Sequence, residues 1–257
     1  YYGLDDFVVT CENKMFTHRP DCFGNLGIAR ELAGIFDLEY KSPDWYIQNP
    51  EFESISNIEL AVENNIPGLV PRFMVTVLSD ITNNSSPISM QSALKRVGIK
   101  PVSAVVDVTN YVMHLTGQPL HAFDYDKLVA LASKNEEWGL KNGGGLHIEP
   151  RMARAGEEIQ LIGNKKVSLT VQDLVISVNG KAVALAGVMG GAETEVDEST
   201  KTIIMECANF DMYNIRRTSM RHGLFTDAVT RFNKGQSPLQ NATAIAYAMK
   251  LLSEYTG

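Results

Sequence analysis

The chain has 257 residues, is 44% hydrophobic and carries a formal net charge of −7. The length allows one large domain or two small ones, and the composition excludes extended disorder. No apolar run approaches the ~18 residues of a membrane span, and the acidic balance argues against a surface that grips nucleic acid throughout while leaving room for a local basic patch. No basic-then-apolar leader with a small-residue cleavage site is present. Cys11, Cys22 and Cys207 are odd in number and form no CxxC pair, so neither a disulfide framework nor a zinc knuckle is indicated. A reducing, cytoplasmic location is expected. The chain opens on Tyr-Tyr rather than Met and reads as a piece of a longer polypeptide.

In chain order, residues 1–50 read as an incomplete unit. Its helix spans Leu26–Phe36, carried by Leu26, Ile28, Leu32, Ile35 and Phe36. Residues 41–66 are polar, without sustained periodicity, and read as a linker or an edge ribbon. A new unit starts near Pro67 with the β-branched strand "LVPRFMVTVLSDI". Ser86-Pro87 reads as an N-cap and first helical position, followed by a Met90, Leu94, Val97 stripe that Gly98 ends. In "AVVDVTNYVMHL", Val105, Val108, Val112 and Leu115 share a helical face, although the β-branched content also suits a strand. Gly117 supplies a stop and favours helix. Residues 127–146 read as a charged insertion. The middle is β, with Gly163-Asn164 and Asn179-Gly180 as hairpin turns and "KTIIMECANF" as a further strand. Ser237-Pro238 again reads as a helix start, with Ala242, Ile245, Met249 and Leu252 on one face. Elements are grouped rather than alternated, which predicts an α+β fold of mixed or antiparallel sheets with flanking helices.

Glu206 is the most informative candidate. Strand alternation puts it on the face of Ile204, opposite Met205 and Cys207. It is either on a solvated strand face or buried against a specific partner, since an unbonded buried carboxylate costs several kcal/mol. His121, in "GQPLHAFDYD", is a packed turn residue or a catalyst. Gly190-Gly191 is a tight turn or a backbone brought close to a ligand. Arg216, Arg217, Arg221, His222 and Arg231 are a solvated helix face or a phosphate-docking patch. No HExxH, GxSxG, P-loop or GxGxxG occurs, and no metal site is expected.

Four strings, "HRPDCFGNLGIARELA", "VVDVTNYVMHLTGQPLHAFDYDKL", "ALAGVMGGAETEV" and "IIMECANFDMYNIRRTSMRHGLFTDAVTRFNKG", together resemble the bacterial phenylalanyl-tRNA synthetase β-subunit family. The resemblance implies that residues 67–257 form its B3/B4 editing domain, with 51–66 a linker and 1–50 the C-terminal part of the preceding domain. It implies hydrolysis of tyrosine mischarged on tRNA(Phe), or alternatively a non-catalytic tRNA-docking module that has lost editing. His121 and Thr226 fall on catalytic positions, and Lys100, Gly190, Glu206 and Ala228 on substrate-binding ones. Lys100 stands where some members have Arg, which alone can hold a bidentate contact. Arg216, Arg217 and Arg221 would meet the acceptor end of the tRNA. No cofactor is implied for this segment. ATP and magnesium would serve the whole synthetase, and the α subunit would be the partner in its heterotetramer. Editing has a physical motive: an apolar pocket rejects an added hydroxyl by only about 100-fold, whereas a site that hydrogen-bonds the hydroxyl penalises its absence.

Overall fold

The computed structural model describes residues 2, 5–11, 14–47, 58–134 and 145–256. Two 3-10 turns, Lys14–His18 and Pro20–Phe23, lead into helix α1, Asn25–Ile35, close to the expected span. Its buried residues are Gly27 and Ala33, whereas Leu32, Ile35 and Phe36 are exposed. The reason is close packing: a Cβ on Gly27 would lie 2.0 Å from the Asp21 carbonyl oxygen. The expected apolar stripe is therefore not the face that packs. A short helix α2, Asp44–Ile47, brings Trp45 flat against Tyr247 at 3.8 Å.

The expected linker contains strand β1, Leu60–Val62, at a sheet edge. Strand β2 is Arg72–Leu78, and helices α3, Ile88–Arg96, and α4, Ala104–Thr116, follow. Ser86 does not cap α3. It donates to the Asp107 carboxylate at 2.6 Å, and Pro87 occupies the cap position. A buried acceptor on α4 outcompetes the local backbone for that hydroxyl. Helix α4 is a helix as expected, with Gly117 at φ +80° closing it.

Strand β3, His121–Asp124, runs into helix α5, Tyr125–Ser133, whose first turn Asp124 caps by accepting from the Lys127 N–H. The start of the expected insertion is thus an ordered helix. Residues 135–144 of it lie outside the described residues. Strands β4 to β9 are Leu146–Met152, Glu158–Leu161, Lys165–Ser168, Leu174–Val178, Lys181–Leu185 and Met189–Gly190, and β10 is Ile203–Asn209. Both predicted hairpin turns form, with Asn164, Gly163, Asn179 and Gly180 all at positive φ. Helices α6, Met212–His222, α7, Asp227–Phe232, and α8, Asn241–Thr256, complete the chain. Helix α8 starts after the expected Ser237-Pro238. Ser237 Oγ instead accepts from Leu239 N–H within a turn. Its buried face is Asn241, Ala244, Ile245, Ala248, Leu251 and Leu252, which shares only Ile245 and Leu252 with the expected one.

The described strands form a five-stranded sheet, β1-β4-β7-β8-β9, a three-stranded antiparallel sheet, β2-β10-β3, and the β5-β6 hairpin. This is the α+β architecture expected. Strand β10 divides two cores. Ile203, Met205 and Cys207 pack against α3, α4 and α8, while Ile204 and Ala208 face the larger core under the five-stranded sheet. The pleat of one central strand thus sends Glu206 toward that larger core.

Candidate active site

Between β3, β10, the β8–β9 turn and α7 lies a cavity of about 220 Å³. An apolar cavity of about 150 Å³ is enough to hold benzene, so this one admits an aromatic ring with polar substituents. His121, Gly190, Glu206, Thr226 and Ala228 all line it, with Asn110, Phe210 and Asp227 among the rest of the wall. Glu206 and His121 are register partners on β10 and β3, so both side chains leave the same face of the sheet.

Glu206 is 7% exposed, which rules out the solvated-face alternative. Among the described residues its carboxyl forms no hydrogen bond with protein. Burial pushes its pKa up to about 8 and that of His121 down to about 4. Both groups are therefore mainly neutral near pH 7. The His121 ring stands edge-on to Phe123 at 4.5 Å. Its Nε2 is buried without a hydrogen-bond partner among the described residues.

The glycine pair has two separate purposes. A Cβ on Gly190 would fall 2.4 Å from His121 Cε1 and 2.7 Å from Nε2, so the glycine makes room for the imidazole. A Cβ on Gly191 would fall 2.3 Å from the Val183 carbonyl oxygen, which is strand packing. Thr226 caps α7: its hydroxyl accepts from Val229 N–H at 3.2 Å and donates to the Val188 carbonyl at 2.9 Å. With its proton committed, Thr226 ties α7 to the β8–β9 turn and fixes Ala228 beside the cavity.

Residues 69–257 match the B3/4 domain family model. The chain belongs to the B3/4 domain family. It is 37% identical over 240 residues to the phenylalanine–tRNA ligase β subunit of a Bacillus cereus strain, covering 93% of this chain and 28% of that protein. It is 37% identical over all 257 residues to the β subunit of Geobacillus kaustophilus, covering 30% of it. The chain thus spans under a third of the length of these curated relatives. An N-terminal fragment of the phenylalanyl-tRNA synthetase β subunit from Pyrococcus horikoshii superposes with a TM-score of 0.39 at 13% identity, over 85% of this chain and 59% of that one.

Outside the cavity, the basic cluster of this B3/4 domain divides by partner. Arg216 and Arg217 are exposed on α6. Arg221 pairs with the buried Asp173 and donates to Gln172 Oε1 at 2.7 Å. His222 Nε2 lies 2.9 Å from the other Asp173 oxygen. Burial raises the pKa of Asp173, but bonds from the Thr170 N–H and His222 outweigh it and leave the carboxyl below its ordinary value. Arg231 is buried, donating to Asp227 at 3.0 Å and to the Phe23 carbonyl at 3.2 Å. Arg221, His222 and Arg231 are thus built into the domain. Lys100 is exposed between α3 and α4 and does not line the cavity. Asn110 does line it, without a motif in the sequence to mark it. Its one signal there is a polar side chain one turn from Met113 on a largely buried helix. Among the described residues, no helix is long and apolar enough to cross a membrane.

Proposed function

We propose that this B3/4 domain edits: it hydrolyses tyrosine wrongly esterified to tRNA(Phe), as part of a phenylalanine–tRNA ligase β subunit. The observation that supports this best is the facing pair Glu206 and His121 in one ring-sized cavity. A tyrosine ring entering it brings a phenolic O–H to the Glu206 carboxyl. The neutral carboxyl can accept that O–H through its carbonyl oxygen or donate to the phenol oxygen. A phenylalanine ring leaves the carboxyl buried and unpaired, at about 1–3 kcal/mol, or roughly 10–100-fold. Selectivity thus comes from an unmet hydrogen bond, the contrast that an apolar synthetic site lacks.

In the reaction, water adds to the ester carbonyl carbon, the bond to the ribose oxygen breaks, and that oxygen takes a proton. Free tyrosine and an uncharged tRNA result. Neutral His121 holds or deprotonates the water, with a terminal tRNA hydroxyl able to assist. Thr226, with its own proton committed, positions the α7 wall. Arg216 and Arg217 meet the acceptor end. Aminoacylation with ATP and magnesium, and pairing with the α subunit, belong to the rest of the synthetase.

The test is deacylation of Tyr-tRNA(Phe) by the intact synthetase carrying this domain. Hydrolysis well above the no-enzyme rate is expected. Hydrolysis at the no-enzyme rate would assign the domain to tRNA docking alone.

A further inference from the structure

A second cluster sits near the β1 edge of the five-stranded sheet, on the face of β4 opposite Leu146 and Ile148. Its members are His147 and Glu149 of β4 and Glu63, the residue that follows β1, which pairs in parallel with β4, Ala61 opposite His147 and Val62 opposite Ile148. The next step along, fixed by the Glu63 N–H donating to the Ile148 carbonyl at 3.1 Å, sets Glu63 beside Glu149. His147 lies two residues before Glu149 and so on the same face, while the alternating Leu146 and Ile148 point into the core. One donor atom from each of Glu63, His147 and Glu149 lies within 4.8 Å of the others, and His147 Nε2 is already 2.9 Å from Glu63 Oε2.

We propose that Glu63, His147 and Glu149 bind a divalent transition-metal ion of the zinc class. This goes beyond the editing reading and does not depend on it. Three features support it. The donor set, one imidazole nitrogen and two carboxylates, is a three-protein-ligand set that zinc completes with water, and the imidazole disfavours magnesium and calcium. Two carboxylates stand side by side, and among the described residues no lysine or arginine forms an ion pair with either. The nearby Arg151 is spent on Glu157, at 2.6 Å, and on the Gly180 carbonyl, at 2.7 Å. Finally, the carboxylates have supports that can orient them: Asn65 hydrogen-bonds Glu63, and Ser177 Oγ donates to Glu149 at 3.4 Å. Donors bound at about 2.0–2.1 Å need to approach one another to roughly 3.3 Å, which side-chain rotation of the exposed Glu63 supplies. The ion would staple the three-residue edge strand β1 to β4.

The test uses EDTA-stripped protein in a Cys11→Ser background, which removes an exposed competing thiol. Zn²⁺ is titrated by calorimetry with Mg²⁺ as control, and melting is followed in parallel. One Zn²⁺ per chain is expected, Mg²⁺ should not compete, and melting should rise by roughly 5–10 °C at a hundredfold excess over Kd. His147→Ala and Glu149→Gln should each weaken Zn²⁺ binding at least tenfold while leaving the circular dichroism spectrum unchanged. If His147→Ala misfolds, Glu63→Gln, changed at an exposed position, replaces it. No saturable Zn²⁺ binding by the wild type, or equal binding by wild type and folded variants, would overturn the proposal.

Discussion

Among the described residues, Glu206 stands beside His121 and Glu63 beside His147, with opposite results. Glu206 and His121 face each other across antiparallel strands inside the cavity, and burial drives both toward neutrality. Glu63, one residue past β1, meets His147 of β4 at the sheet edge, where a 2.9 Å bond forms between half-exposed side chains. There, bonds from Asn65 and His147 hold the Glu63 carboxyl below its usual range. The same two side chains thus yield a neutral pair lining a cavity in one place and an anionic cluster in the other. Desolvation, rather than residue type, makes the difference.

The largest expected effect breaks the buried pair without touching either member. Gly190→Ala places a methyl group inside the His121 ring position. The ring must move, and Tyr-tRNA(Phe) deacylation should fall about 100-fold, the cost of misplacing a catalytic group by about an ångström. In a His121→Ala background the same methyl should cost little further, which a double-mutant cycle on single-turnover rates measures.

Changing the acid itself should cost less. Glu206→Ala should lower hydrolysis of the tyrosine ester roughly 10–100-fold and narrow the preference for tyrosine over phenylalanine esters. Glu206→Gln, a neutral donor and acceptor like the protonated acid, should keep most of both below pH 8. Stability sharpens the point. The folded pKa of Glu206 is raised, so its contribution is fully present below about 4.5 and is lost as pH rises through about 8. Between pH 5 and 8.5, wild type should therefore lose more melting temperature than Glu206→Gln. Equal losses would mean that Glu206 ionises freely.

A third contrast lies within the arginines. Arg221→Ala removes a charged partner from buried Asp173 and should destabilise the domain by about 2 kcal/mol in denaturant melts. Arg217→Ala should leave those melts unchanged and reduce the salt dependence of editing. The smallest effect belongs to the exposed pair. In metal-free buffer, His147→Ala should leave the melting temperature essentially unchanged, because exposed ion pairs contribute little.

Sequence by itself determined the features whose causes are local. Gly117 ended α4 because the stop needed positive φ. Asn179-Gly180 made its hairpin for the same reason. Alternation along β10 placed Glu206 on the face of Ile204 and Ala208 because the pleat has a period of two. The family resemblance named five residues that the cavity brings together, although spacing alone left Glu206, His121 and the glycine pair undecided. Tertiary structure decided what depends on distant neighbours. It buried Glu206 and paired it with His121, and it showed that Gly190 makes way for that imidazole. It also drew Ser86 to Asp107 and Arg221 to Asp173, and it left Lys100 outside the cavity. The Glu63, His147 and Glu149 cluster has no spacing signature, because its donors converge only once β1 pairs with β4. Backbone preference acts over a few residues and can be read along the chain, whereas desolvation and hydrogen-bond competition depend on which surfaces the folded chain brings together.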